Sequence, residues 1–136
     1  MARSLLEQAG FAGALLDTML GIAWVECWHP ILRQHFHDAV GDLGVISDVW
    51  GPSVGWLQIR SLRDPTSGNQ ADTWRVAEKL RDPVYSAQAA RVIVGPGGEN
   101  LRLWSPYKNQ TQAYLDHIGD DFELVAGHPN AHLWNV

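Results

Sequence analysis

Cysteine is almost missing from this chain of 136 residues, where Cys27 stands alone. No intramolecular disulfide can form, and a zinc site built from cysteine pairs is excluded. That usage is compatible with a reducing cytoplasm. Positive charge is also scarce, with 10 lysines and arginines against 15 aspartates and glutamates and a formal net charge of −5. A chain that coats nucleic acid through its phosphates needs the opposite balance, so no nucleic-acid partner is expected. The same deficit gives no general attraction to anionic membranes or cell-wall polymers. A long uninterrupted apolar run is lacking as well. The stretch MARSLLEQAGFAGALLDTMLGIAWVEC is broken by Glu7 and Asp17 and has no apolar core behind a basic start. Neither a secretory signal nor a spanning helix is expected from it. No repeat or low-complexity linker divides the chain, and residues 1–136 suit a single domain with one core.

What the chain does have is tryptophan: Trp24, Trp28, Trp50, Trp56, Trp74, Trp104 and Trp134. Broad ring faces suit sugars and bases, and they fill cores equally well. Four of them bracket a single acid, Glu26, and the loop that follows it. From Phe11 to Cys27 the apolar residues follow a helical period, and Pro30 disfavours helix at His29. Glu26 then falls on the last helical turn, where the negative end of the helix dipole favours a protonated carboxyl. Among apolar neighbours an ionised carboxylate is costly unless paired or hydrogen-bonded. Glu26 is either a partly exposed helix-end residue or an acid held ready to give up its proton.

Further on, ILRQHFHDAVGDLG reads as a short helix ending by Gly41 or Gly44. WGPS supplies turn chemistry before a short extended run over 54–59, and 64–70 is a polar loop. Residues 71–80 read as a helix, and a second starts with Asp82 as N-cap and Pro83 at the first helical position. GPGGEN stops it, one more helix runs from about 108 to 117, and the remainder is a tail or a small strand plus turn. The expected architecture is a mainly helical domain with one small β element after the first long helix.

The element after Glu26 contains GWLQIR, in which Gly55 lets a ligand chain approach the backbone and Gln58 offers an amide to sugar hydroxyl and acetamido groups. Four segments in order, AWVECW, WGPSVGWLQIRSL, LRDPVYSAQAA and LWSPYKNQTQAYLDH, resemble the lytic transglycosylase and goose-type lysozyme superfamily, especially its bacteriophage and actinobacterial members. The resemblance covers roughly residues 11–117. In that pattern an acid ends the first long helix, usually as Glu-Ser, and a Gly-x-x-Gln-Ile strand lines a sugar groove. A dP-x-x-Asn-x-x-Ala helix and a Trp-x-x-Tyr segment complete it. Here Cys27 stands for the usual serine, Trp28 for a common glycine and Ser86 for a frequent asparagine.

The resemblance implies a lysozyme-like α+β fold, mainly α, with a glycan cleft between the helices and the β element. It implies a peptidoglycan glycosidase, a lytic transglycosylase or muramidase, that cuts the β-1,4 bond between N-acetylmuramic acid and N-acetylglucosamine. Glu26 is then the general acid and base, with Gly55, Trp56, Gln58, Tyr107 and Cys27 against the sugar. Hydrolysis calls for a second carboxylate, and Asp38, Asp42 and Asp48 are the acids between Glu26 and the strand. Without one, the substrate's acetamido group assists and an anhydro product forms. No cofactor is implied. The partners are peptidoglycan glycan strands and, for a virion-associated lytic part, other phage proteins. A lysin made in the host cytoplasm and released to the wall fits equally.

Three other readings compete. A catalytically inactive relative can keep the groove for glycan binding or serve as a virion structural part. His29, His35 and His37 are potential zinc ligands with Asp38 or Glu26, but no HExxH motif accompanies them. Cys27 with His29 forms a cysteine–histidine pair in sequence only, and a buried small apolar residue is the plainer role for Cys27.

Overall fold

In the computed structural model, which describes residues 1–136, the apolar N-terminal stretch folds as two helices, α1 (Ala2–Gln8) and α2 (Gly13–Cys27). α2 is apolar on every face, the signature of a helix at the centre of a fold. Its Leu16, Met19, Leu20, Ile22, Ala23 and Cys27 are all buried. It stops at Cys27, and Trp28 is already extended at φ −72° and ψ 129°. No helix in the molecule is long and apolar enough to cross a membrane.

After α2 the chain builds five short strands: β1 (Trp28–His29), β2 (Gln34–Phe36), β3 (Val40–Gly41), β4 (Trp50–Val54) and β5 (Ile59–Leu62). With β6 (Leu124–Val125) they form two three-stranded sheets, ordered β1–β2–β6 and β3–β4–β5. This corrects the expectation of a mainly helical chain with one β element: the fold is α+β. The helix expected within residues 31–44 is absent. β2 takes its place because it pairs antiparallel with β1 (His35 opposite Trp28) and parallel with β6 (His35 opposite Leu124). Those partners override the local period.

WGPS is likewise strand rather than turn. β4 is the middle strand of its sheet, and its register slips between Trp50 and Ser53, so Pro52 sits at a bulge that needs no ladder donor. The tight turn comes later, at Gly55–Gln58, closed by the Gln58 amide donating to the Gly55 carbonyl at 3.1 Å. Gly55 has φ 91°, and a side chain there would strike the Leu80 carbonyl oxygen. Only glycine suits that position.

Residues 71–80 do not form one helix. A 3-10 turn at Ala71–Trp74 and the short α3 (Ala77–Leu80) are separated because the Arg75 carbonyl turns to accept from the Leu62 amide of β5, at 3.0 Å. α4 (Pro83–Val94) starts as its sequence indicates, with the Asp82 carboxylate accepting from the amides of Val84 (2.8 Å) and Tyr85 (3.1 Å). The expected 108–117 helix is two pieces, α5 (Ser105–Lys108) and α6 (Gln112–Asp116). Between them Gln110 adopts φ 48°, and Thr111 caps α6. Residues after 117 add β6 and a 3-10 turn at Ala131–Leu133. The core gathers α1, α2, the Val54–Ile59 hairpin end, α4, Trp104, Tyr114, Phe122 and Leu124 into one cluster.

Candidate active site

Trp24 on the last turns of α2 and Trp28 at the start of β1 come together at the helix end. Their rings stack at 4.8 Å, and Trp24 stacks in turn on His117 at 3.6 Å. Glu26 is two residues on from Trp24 and points away from that stack. It opens into a cleft of about 430 Å³. One wall comes from the β3–β5 sheet and its hairpin turn, with Asp42, Trp50, Ser53, Gln58 and Arg60; Arg75, Ile93, Leu103, Trp104 and Ser105 complete it. The two tryptophans that flank Glu26 in sequence are therefore not its walls. Trp50 and Trp104 are, and the Trp104 indole is fixed by donating to the Leu57 carbonyl at 2.7 Å.

Burial is the main force on the Glu26 carboxyl and the negative charge of Asp42 adds to it, together raising its pKa from 4.5 to about 7. The last turn of α2 carries no basic residue to oppose this. Near neutrality such a group is an acid in some molecules and a base in others, which suits a residue that must give a proton and take one back. Asp42 reaches the cleft from the end of β3 in a left-handed conformation (φ 56°) and accepts a hydrogen bond from the buried Ser53 hydroxyl. The other two candidate acids lie elsewhere. Asp38 accepts from the amides of Gly127 (2.7 Å) and His128 (3.0 Å), tying down the C-terminal segment. Asp48 is exposed in the loop before β4 and does not line the cleft.

Gln58 lines the cleft, but its amide nitrogen is committed to the fold. It donates to the carbonyls of Ala39 (3.1 Å) and Gly55 (2.9 Å), while its side-chain oxygen lies against Gly41. Gly55, Trp56, Tyr107 and Cys27 do not line the cleft. The close approach that Gly55 allows is to Leu80 and Ser86 of the same chain. Trp56 is wholly buried and donates to the Pro83 carbonyl at 3.0 Å. Tyr107 packs on the core, edge-on to Tyr114 with ring centres 6.0 Å apart. Cys27 is buried, its thiol donating to the Ala23 carbonyl at 3.1 Å, and burial pushes its pKa well up.

The histidines serve separate ends. His29 Nδ1 accepts from the Leu32 amide at 3.0 Å, and His37 Nδ1 donates to the Arg81 carbonyl at 3.3 Å. His35 lies buried against Phe122, and burial, aided by the nearby charge of His117, lowers its pKa from 6.5 to about 4. No three histidine, cysteine, aspartate or glutamate side chains converge where they could hold a metal ion.

Arg60, Arg75, Trp50, Trp104 and Ser105 are among the lining residues that no motif pointed to as site residues. Arg60 stood within GWLQIR, two places beyond Gln58. Arg75 had no local signal, since it arrives by pairing its carbonyl to the edge of β5. Comparison of the chain with protein-family models, with curated proteins and with solved structures finds no match.

Proposed function

We propose that the protein is a glycosidase of peptidoglycan and that Glu26 is its general acid and base. The observation that carries this reading is a carboxyl with a pKa near 7 opening into a cleft that also holds Asp42. The cleft wall adds what a saccharide site uses, an indole at Trp50 and an exposed hydroxyl at Ser105. Protonated Glu26 donates its proton to the glycosidic oxygen as the bond from that oxygen to the sugar C1 breaks. The electron pair leaves with the oxygen, and the positive charge that grows on the ring is shared by the substrate's own acetamido oxygen. Glu26, now ionised, takes a proton from the incoming nucleophile, which closes the cycle. Ser53 occupies one side of the Asp42 carboxylate, leaving its other lone pairs to hold a water. This arrangement favours a hydrated product, whereas attack by the muramyl 6-hydroxyl gives the anhydro sugar.

Incubating the protein with glycan strands and weighing the products tests the reading, since hydrated and anhydro products differ by one water. Glu26→Gln keeps the shape and removes the transferable proton, so turnover is expected to fall by at least about a hundredfold. Cleavage that persists in the variant rules out Glu26 as the acid. Binding without cleavage by the unaltered protein identifies a glycan-binding domain instead.

A further inference from the structure

Two arginines line the cleft, and the proton transfers above use neither. Arg75 donates from Nε to Asp72 at 2.8 Å and from Nη1 to the Arg60 carbonyl at 3.0 Å. Arg60 donates from Nε to the Gly51 carbonyl at 2.7 Å and from Nη2 to the Val45 carbonyl. These bonds fix both guanidinium planes yet leave Nη2 of Arg75 and Nη1 of Arg60 without a protein acceptor. Both groups lie over the Trp50 ring, 5.4 Å from its centre for Arg75 and 5.7 Å for Arg60. Asp72 is the one acid that pairs with either of them. The hydroxyl and acetamido oxygens of neutral sugars can accept from such donors, but they leave the guanidinium charge without a counter-charge. A carboxylate supplies that counter-charge and can accept charge-assisted hydrogen bonds from the free donors.

We propose that Arg60, Arg75 and Trp50 form a carboxylate-binding subsite of the cleft, which makes the protein select glycans with acidic substituents over neutral chitin-like ones. The inference rests on the glycosidase reading of the same cleft. In peptidoglycan the carboxylate has two sources: the lactyl group of a muramic acid without its peptide, or the acids of the stem peptide. The indole lies under both guanidinium groups, and the arginines hold the charge of the ligand.

Calorimetry on the Glu26→Gln protein with three probes tests this without turnover. The probes are chitohexaose, peptide-stripped glycan strands that bear lactyl carboxylates, and strands with intact stem peptides. At low salt at least one acidic probe is expected to bind about tenfold or more tightly than chitohexaose, the share of a hydrogen bond to a charged group. The preference shrinks as salt rises. Arg60→Gln and Arg75→Gln, each made in the Glu26→Gln protein and checked for unchanged circular dichroism, bring the ratio towards one. A preference already present for stripped strands identifies the lactyl group, and one confined to peptide-bearing strands identifies the stem. Equal affinity for all three probes, or a ratio that survives both arginine changes, overturns the subsite and leaves the glycosidase reading standing. Binding of none of the three overturns both. If the variants do not fold, the salt dependence of the ratio in the parent protein decides.

Discussion

Glu26 costs the fold stability wherever it ionises. Its pKa is raised on folding from 4.5 to about 7, so the folded protein holds a proton that the unfolded chain gives up. Stability is therefore full below about pH 4.5, falls across the window up to about 7 and levels off above it. The whole effect is on the order of 3 kcal/mol. Glu26→Gln is expected to remove this slope, so that in urea unfolding the variant gains on the parent protein between about pH 4.5 and 7 and keeps that gain above it. A constant offset across that range contradicts the raised pKa. Gln58 behaves differently because its amide nitrogen serves two backbone carbonyls of the turn. Gln58→Ala removes one of the two donors that each carbonyl has, the backbone amides of Gly55 and Gln58 remaining, and is expected to cost about 1–2 kcal/mol as well as activity. A loss of turnover with an unchanged melting temperature shows instead that Gln58 acts on substrate alone.

Among the elements, those set by adjacent residues were legible and those set by distant partners were not. Asp82 and Pro83 mark the start of α4 through bonds that span three residues, so the sequence suffices to place it. α2 likewise is legible from its own residues, an apolar segment that Pro30 bounds. β2 carries no such mark, because its strand character comes from pairing with β6 near the other end of the chain. The site divides in the same way. Glu26, Gln58 and Asp42 follow from a helix end and the hairpin after it. The walls do not: Trp24 on α2 and Trp28 on β1 stack on each other outside the cleft, and sheet pairing brings Trp50 and Arg75 in. The Asp82 cap also stands beside the hairpin turn, since the Trp56 indole donates to the carbonyl of Pro83, the next residue. Asp82→Ala is expected to lower stability by about 1 kcal/mol, read as a shift in the urea midpoint with unchanged slope. No shift means that the first turn of α4 is held by packing alone.

For the molecule as a whole, the residues outside the recognised motifs close the structure. The Ala2 amide donates to the Phe122 carbonyl at 3.0 Å, and the Met1 ammonium pairs with Asp121 at 3.0 Å, so α1 and the segment before β6 hold each other. Phe122 is the link between the two halves of the β structure. Its ring stacks on His35 of β2 at 4.2 Å and meets Trp56 of the cleft hairpin edge-on at 6.2 Å. Phe122→Ala is expected to cost about 3–5 kcal/mol, as large aromatic deletions in cores do. That is a large share of the roughly 5–15 kcal/mol that holds a domain together. The same change lets water reach His35. In the parent protein His35 stays neutral while the imidazole of the unfolded chain takes up a proton, so stability falls as pH drops from about 6.5 to about 4 and levels off below that. With Phe122 removed, desolvation weakens and the His35 pKa is expected to climb from about 4 towards 6.5, followed by its imidazole proton shifts in an NMR titration. The loss of stability that His35 causes between about pH 6.5 and 4 then shrinks. A variant with the parent's melting temperature and an unmoved His35 titration would show that the C-terminal segment only lies against the fold and that the cleft hairpin stands without it.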